Sequence, residues 1–183
     1  EMMDGHRPAV WLSDRYTAQQ GHGVAHQTCL AHLARDVASA VEVSDDPVPW
    51  RLQLWLNAAF GLSGQVTTLA ASTLSAKRRT RERQLTGILG ATSSCDLTRA
   101  LQAKISRARD QHLTVLDHPG VVEATHNACE RALRPAVVQR KVTNGSRAMW
   151  AAEGEAAIRT VVDTARLTPG ATAFGTILAT VST

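Results

Sequence analysis

Arg7-Pro8-Ala9-Val10-Trp11-Leu12-Ser13-Asp14 is a short apolar run that follows a proline and ends on a carboxylate. It has the continuous apolar character of a buried strand rather than the alternation of a half-exposed one. A turn-like stretch from Arg15 to Gly23 follows, and Val24-Ala25-His26-Gln27-Thr28-Cys29 then reads as a second short strand. Beyond it Leu30, Leu33, Val37 and Val41 recur at helical spacing. Strand, loop, strand, helix is an α/β opening. Asp45, Asp46, Pro47 and Pro49 stop that helix, because proline fixes its own φ and disfavours helix in the residue before it. A boundary near residue 45 follows.

From Trp50 to about His118 strand signals disappear. Apolar residues keep helical spacing at Leu52, Leu56 and Phe60, and again at Leu97, Leu101, Ile105 and Ala108, so this stretch reads as all-helical. Lys77-Arg78-Arg79-Thr80-Arg81-Glu82-Arg83 packs five cations and one anion into seven positions, which suits a solvated helix face as well as a polyanion. Asp117-His118-Pro119-Gly120 is a turn signal, and Val121 to Leu133 reads as a helix that Pro135 ends or kinks. A helix from Trp150 to Arg166, stopped by Thr168-Pro169-Gly170, precedes a short apolar tail through Phe174, Ile177 and Leu178. There is no internal repeat and no low-complexity tract.

The 183 residues are 44% apolar and 20% charged, enough for an ordinary globular core and inconsistent with a disordered chain. A formal net charge of +4 is compatible with a polyanionic partner. No window approaches the roughly 18 apolar residues of a membrane span, and Glu1-Met2-Met3-Asp4-Gly5-His6-Arg7 lacks the apolar core of a signal peptide, so no membrane association and a cytoplasmic location are expected. Cys29, Cys95 and Cys129 are odd in number and widely spaced, which favours reduced thiols over a disulfide framework.

Three sets of residues carry possible chemistry. Asp14 stands where an apolar strand runs out, the edge at which open α/β sheets hold ligands, and equally where an Asp caps a turn or helix ahead of Tyr16-Thr17-Ala18. Glu130 lies in Asn127-Ala128-Cys129-Glu130-Arg131-Ala132-Leu133-Arg134-Pro135. The run from Arg131 to Ala152 carries Arg131, Arg134, Arg140, Lys141 and Arg147 with no acidic residue, a pattern that fits a phosphate-bearing substrate. A glutamate followed by arginine at i+4 is also ordinary helix-surface pairing. Cys29-x-x-His32 and His126-x-x-Cys129 have the internal spacing of zinc-ligand pairs, but 93 residues separate them, and buried or hydrogen-bonded Cys and His account for them as well.

Trp11-Leu12-Ser13-Asp14-Arg15-Tyr16, Cys29-Leu30-Ala31-His32-Leu33-Ala34-Arg35-Asp36, Asn127 to Pro135, and Gln139-Arg140-Lys141-Val142 together resemble, in order, the catalytic domain of the insertion sequence 66 family of bacterial transposases. Thr164-Ala165-Arg166 also fits. The resemblance implies a partial ribonuclease H-like core with an all-helical insertion, mostly helical overall. Residues 1–45 would carry the strand of the second aspartate and the following helix, 46–118 the insertion, and 119–183 the glutamate helix and the closing helices. It implies Asp14 and Glu130 as the second and third carboxylates of an Asp-Asp-Glu set that holds Mg²⁺ or Mn²⁺. Arg131, Arg134, Arg140, Lys141 and Arg147 would then contact the DNA of transposon ends and target, and Cys29, His32 and Asn127 would support the site. The 115 residues between Asp14 and Glu130 are accommodated by the insertion. A homo-oligomer at full length and a nucleoid-associated bacterial protein are further implications. The family's first aspartate has no counterpart: Asp4 has neither the apolar run nor the distance from Asp14 that the role needs, so an N-terminally truncated chain, inactive alone, is expected. A non-catalytic DNA-binding or regulatory remnant is the alternative. His126 departs from the first of two asparagines usual in the family, and Ser146 from an aromatic residue.

Overall fold

The computed structural model describes residues 5–181, with side chains through Ala179, so Asp4 lies outside the described residues. β1 (Val10–Ser13) and β2 (Ala25–Thr28) pair in parallel, Val10 opposite Ala25 and Ser13 opposite Thr28. They form the two-stranded sheet that the opening of the sequence implies. Parallel neighbours need a crossover between them, usually a helix. Here the connection is irregular apart from a single 3₁₀ turn at Thr17–Gln19. It returns close over β1 at Gly23, where a Cβ would stand 2.7 Å from the Ala25 carbonyl oxygen and 2.8 Å from the Trp11 nitrogen.

No third strand accompanies this pair among the described residues. Instead, two 3₁₀ turns at Arg109–Gln111 and Thr114–Asp117 lie against β2 and bond to it through side chains. Thr114 Oγ1 donates to the His26 carbonyl at 2.8 Å, and Thr28 Oγ1 donates to Gln111 Oε1 at 2.9 Å. The fully buried Gln27 accepts from the Val115 N–H at 2.7 Å and donates to the carbonyls of Thr28 and His112. The side chains of Gln27, Thr28 and Thr114 are thereby satisfied without a strand ladder.

α1 (Leu30–Val43) follows β2 directly and buries Leu30, Leu33, Val37 and Ala40 on one face. The Leu30 N–H, an orphan donor of a helix start, bonds to the Ala124 carbonyl at 2.9 Å. α2 (Pro47–Ser63) begins where α1 stops: Asp46 Oδ1 accepts from the Val48 N–H at 2.8 Å, and Pro47 occupies the first turn, where a missing N–H costs nothing. α3 (Ala71–Leu89) and α4 (Asp96–Arg107) complete the helical stretch. One apolar cluster joins Leu33 and Val37 of α1, Leu52 and Leu56 of α2, Leu85 of α3, Ile105 of α4 and Val115. Trp55 Nε1 donates to the Arg81 carbonyl at 2.8 Å, tying α2 to α3.

Two expectations need correction. Residues 121–126 are not helical: the amides of Val121 and Val122 turn back to the His118 carbonyl, and the buried Ala124 gives its carbonyl to α1 rather than to a helix of its own. α5 therefore runs from Asn127 to Thr143. Pro135 does not end it but lies inside it. The helix stops instead at Asn144 and Gly145, both at positive φ, 58° and 80°. α6 (Met149–Leu167) ends ahead of Gly170, and the apolar tail is itself a helix, α7 (Ala173–Val181).

The chain divides into two compact units at Ala128 and Cys129, inside the first turn of α5. The first holds the sheet, α1 to α4 and the apolar cluster. In the second, α6 and α7 pack together, and among the described residues only Ala165 is a buried apolar side chain. Mostly helical α/β describes the whole. No helix among the described residues is long and apolar enough to cross a membrane.

Candidate metal and nucleic-acid site

Asp14 follows β1 immediately and is half-buried. Its Oδ1 accepts from the Tyr16 N–H at 2.9 Å, so the carboxylate caps the turn that leaves the strand. Beside it on β2, His26 contacts Ser13 Oγ through Nε2 at 3.2 Å. Burial holds the His26 pKa below its ordinary value, outweighing the upward pull of the Asp14 carboxylate, while His22 adds to the lowering. Arg15 turns the other way and pairs with Asp36 of α1, which also receives Lys104 Nζ at 2.7 Å. Burial alone would raise the Asp36 pKa, but hydrogen bonds from Lys104 and Arg15 keep it below the usual carboxylate range. A carboxylate and an imidazole thus converge around the end of β1, while the guanidinium of Arg15 is committed to Asp36. Sequence reasoning singled out only Asp14. His26 reaches it through the sheet register and Asp36 through packing of α1, neither of which leaves a local signal.

Glu130 is exposed in the first turn of α5, where the helix dipole favours a negative charge. Asn127 is the first residue of the same helix and is exposed. Arg131, Arg134, Arg140 and Lys141 are exposed on α5, and Arg147 is exposed on the link to α6. At about 100° per residue, Glu130, Arg134 and Lys141 share one face within roughly 40°, and Arg131 and Arg140 flank it on opposite sides. The rise from Glu130 to Lys141 is about 16 Å.

The structure gathers three of the four Cys and His residues noted in the sequence. Cys29, His32 and His126 bring one ligand atom each to within 4.8 Å of one another. Cys29 is wholly buried at the N-cap of α1, His32 is in the first turn of that helix, and His126 directly precedes α5. The His32 and His126 rings stack with centroids 5.0 Å apart and planes 8° from parallel. Cys129 is exposed and lies in the other compact unit.

The basic run of α3 behaves largely as a helix surface. Arg78 bonds Glu82 and Asp117, Arg81 Nη1 donates to Gln84 Oε1 at 2.7 Å, and Arg83 Nη2 donates to Thr80 Oγ1 at 3.5 Å.

In comparison with known proteins, residues 1–154 match the model of the Transposase IS66 family. No curated protein and no solved structure matches the chain.

Proposed function

The chain belongs to the IS66 family of transposases, and on that footing we propose that it is a catalytic-domain segment of an enzyme that cuts and joins DNA with divalent metal ions. The observation that carries this is the extent of the family match, residues 1–154, which takes in Asp14, Glu130 and all five cations from Arg131 to Arg147. We propose that residues 1–45 and 119–183 form parts of a ribonuclease H-like core and that 46–118 is an insertion within it.

Asp14 and Glu130 are oxygen donors with exposed or half-exposed carboxylates, the donor chemistry that a hard cation such as Mg²⁺ or Mn²⁺ requires. Bound there, such ions would activate the attacking oxygen and stabilise the departing one in an in-line displacement at phosphorus. Asp14 presents its carboxylate from a strand end where the Tyr16 amide fixes Oδ1. The neutral His26 beside it adds no competing charge. Arg134 and Lys141, aligned with Glu130 on α5, would neutralise successive phosphates, with Arg131, Arg140 and Arg147 at the margins. Those contacts set affinity and register without reading sequence. Asn127 would orient the start of the glutamate helix. No residue here matches the first aspartate of the family's set, so we propose that this segment alone binds DNA without cleaving it. Assembly as a homo-oligomer on transposon ends and action at the nucleoid belong to the same proposal.

The test is Mg²⁺-dependent cleavage of transposon-end DNA by this segment joined to an upstream segment that supplies the first aspartate. Asp14→Asn and Glu130→Gln are each expected to abolish it. Cleavage that persists in both variants overturns the assignment. The second reading, a DNA-binding remnant whose carboxylates only cap turns, has the Asp14–Tyr16 bond in its favour. It is distinguished by salt-dependent DNA binding with no cleavage under any metal. In either case Arg134→Ala and Lys141→Ala should each lower the slope of log affinity against log salt by about 1.

A further inference from the structure

We propose that Cys29, His32 and His126 form a structural site for a soft or borderline divalent ion, Zn²⁺ foremost, separate from the carboxylates of the DNA chemistry. Two segments far apart in the chain meet here, and each brings ligand-type side chains to the meeting point. Cys29 and His32 come from the start of α1, and His126 from the residue before α5. The three donor atoms already lie within 4.8 Å of one another. Tetrahedral zinc, with Zn–S near 2.3 Å and Zn–N near 2.0–2.1 Å, asks for donor separations of about 3.3–3.7 Å. A contraction of about 1 Å closes the gap, and rotation of His32 and His126, both only half-buried, supplies it while Cys29 stays fixed in the core. The Cys29 thiol occupies the N-cap of α1 yet caps no amide, so the helix start does not employ it.

The donor set decides which ion enters. A thiolate and two imidazoles suit Zn²⁺ and its probe Co²⁺ and reject Mg²⁺, which demands oxygen. Binding releases the thiol proton to solvent, and one thiolate with two neutral imidazoles leaves a net charge of +1 on a zinc complex. Three protein ligands leave one position for water. The ion would fasten the start of α1 to the residue that precedes the glutamate helix, alongside the Leu30–Ala124 hydrogen bond. This role would stand whether or not the chain cuts DNA.

The experiment is Co²⁺ titration of the metal-stripped chain, followed by absorbance, with native mass spectrometry of the Zn²⁺ form. One ion per chain, a thiolate-to-cobalt charge-transfer band and tetrahedral visible bands are expected, unchanged by excess Mg²⁺. Cys29→Ser should remove the charge-transfer band. Because Cys29 is wholly buried, His126→Asn provides the variant expected to fold, checked by circular dichroism, and it should weaken binding more than 100-fold, beyond the 10–100-fold typical of losing an outer-shell partner. Absence of a retained ion in the wild type, or an affinity unchanged by His126→Asn, overturns the proposal.

Discussion

Acidification from pH 7 to pH 5 should cost the first compact unit about 2 kcal/mol of stability through His112 alone. This ring is wholly buried, donates from Nε2 to the Ile105 carbonyl at 3.1 Å, and meets Trp55 edge-on with centroids 6.5 Å apart. Burial pushes its pKa down from 6.5 to about 4, only partly offset by the bond to Ile105, and the nearby Arg15 charge adds to the lowering. The unfolded chain takes up this proton near pH 6.5, whereas the folded chain refuses it until about pH 4. The stabilisation is therefore complete above the unfolded value and is lost as pH falls from 6.5 toward 4, to a limit of about 3 kcal/mol. His26, also lowered, acts in the same direction, while Asp36, held below 3.8, contributes its loss only at more acidic pH. The assay is urea unfolding followed by circular dichroism at pH 5, 6 and 7 for the wild type and for His112→Gln, whose amide can still donate to Ile105 without titrating. The wild type should lose stability between pH 6 and 5 at close to 1.4 kcal/mol per unit, and the variant at about 1 kcal/mol per unit less. Identical slopes in the two proteins would refute the assignment.

Two further outcomes concern the backbone. Gly23→Ala should destabilise the unit by about 2 kcal/mol or more, because the added Cβ meets backbone of β1 and β2 that cannot yield, and a lowered urea midpoint at unchanged m-value checks this. Pro135→Ala should increase helical circular dichroism and stabilise α5 by up to about 3 kcal/mol, since it restores an amide donor and removes the ring's clash with the Arg131 carbonyl in an exposed helix.

Much of the fold was legible because it rests on local pattern. The apolar run 9–14, the helical spacing of Leu30, Leu33 and Val37, and the stop at Asp45 to Pro49 each act over a few residues, and β1 and α1 stand where those patterns put them, whereas Pro47 and Pro49, read only as a break, also open α2. What covers β2 was not legible. Gln27 bonds to residues 85 and 88 positions away, so its role leaves no periodic trace. The misplaced start of α5 has the same origin: Val121 to Ala124 have a helix-compatible sequence, but Ala124 is drawn to α1 by a long-range hydrogen bond. At the candidate site, Asp14 was legible as a strand-end carboxylate and as a cap, and the cap is present. The Cys and His pairs were legible as pairs. Their convergence was not, because only the path of residues 121–126 past the start of α1 brings His126 to Cys29 and His32.

That path also bears on the order in which the molecule can assemble. α2, α3 and α4 meet neighbours close in sequence, so their contacts close small loops and form early in synthesis. The acceptor for the first amide of α1 lies 94 residues downstream of it, and the partners of Gln27 emerge almost as late. The parallel strands, though made before the helices that follow them, therefore wait with an unfinished flank until those helices are in place. The two-stranded sheet is the keystone of the first unit rather than its nucleus.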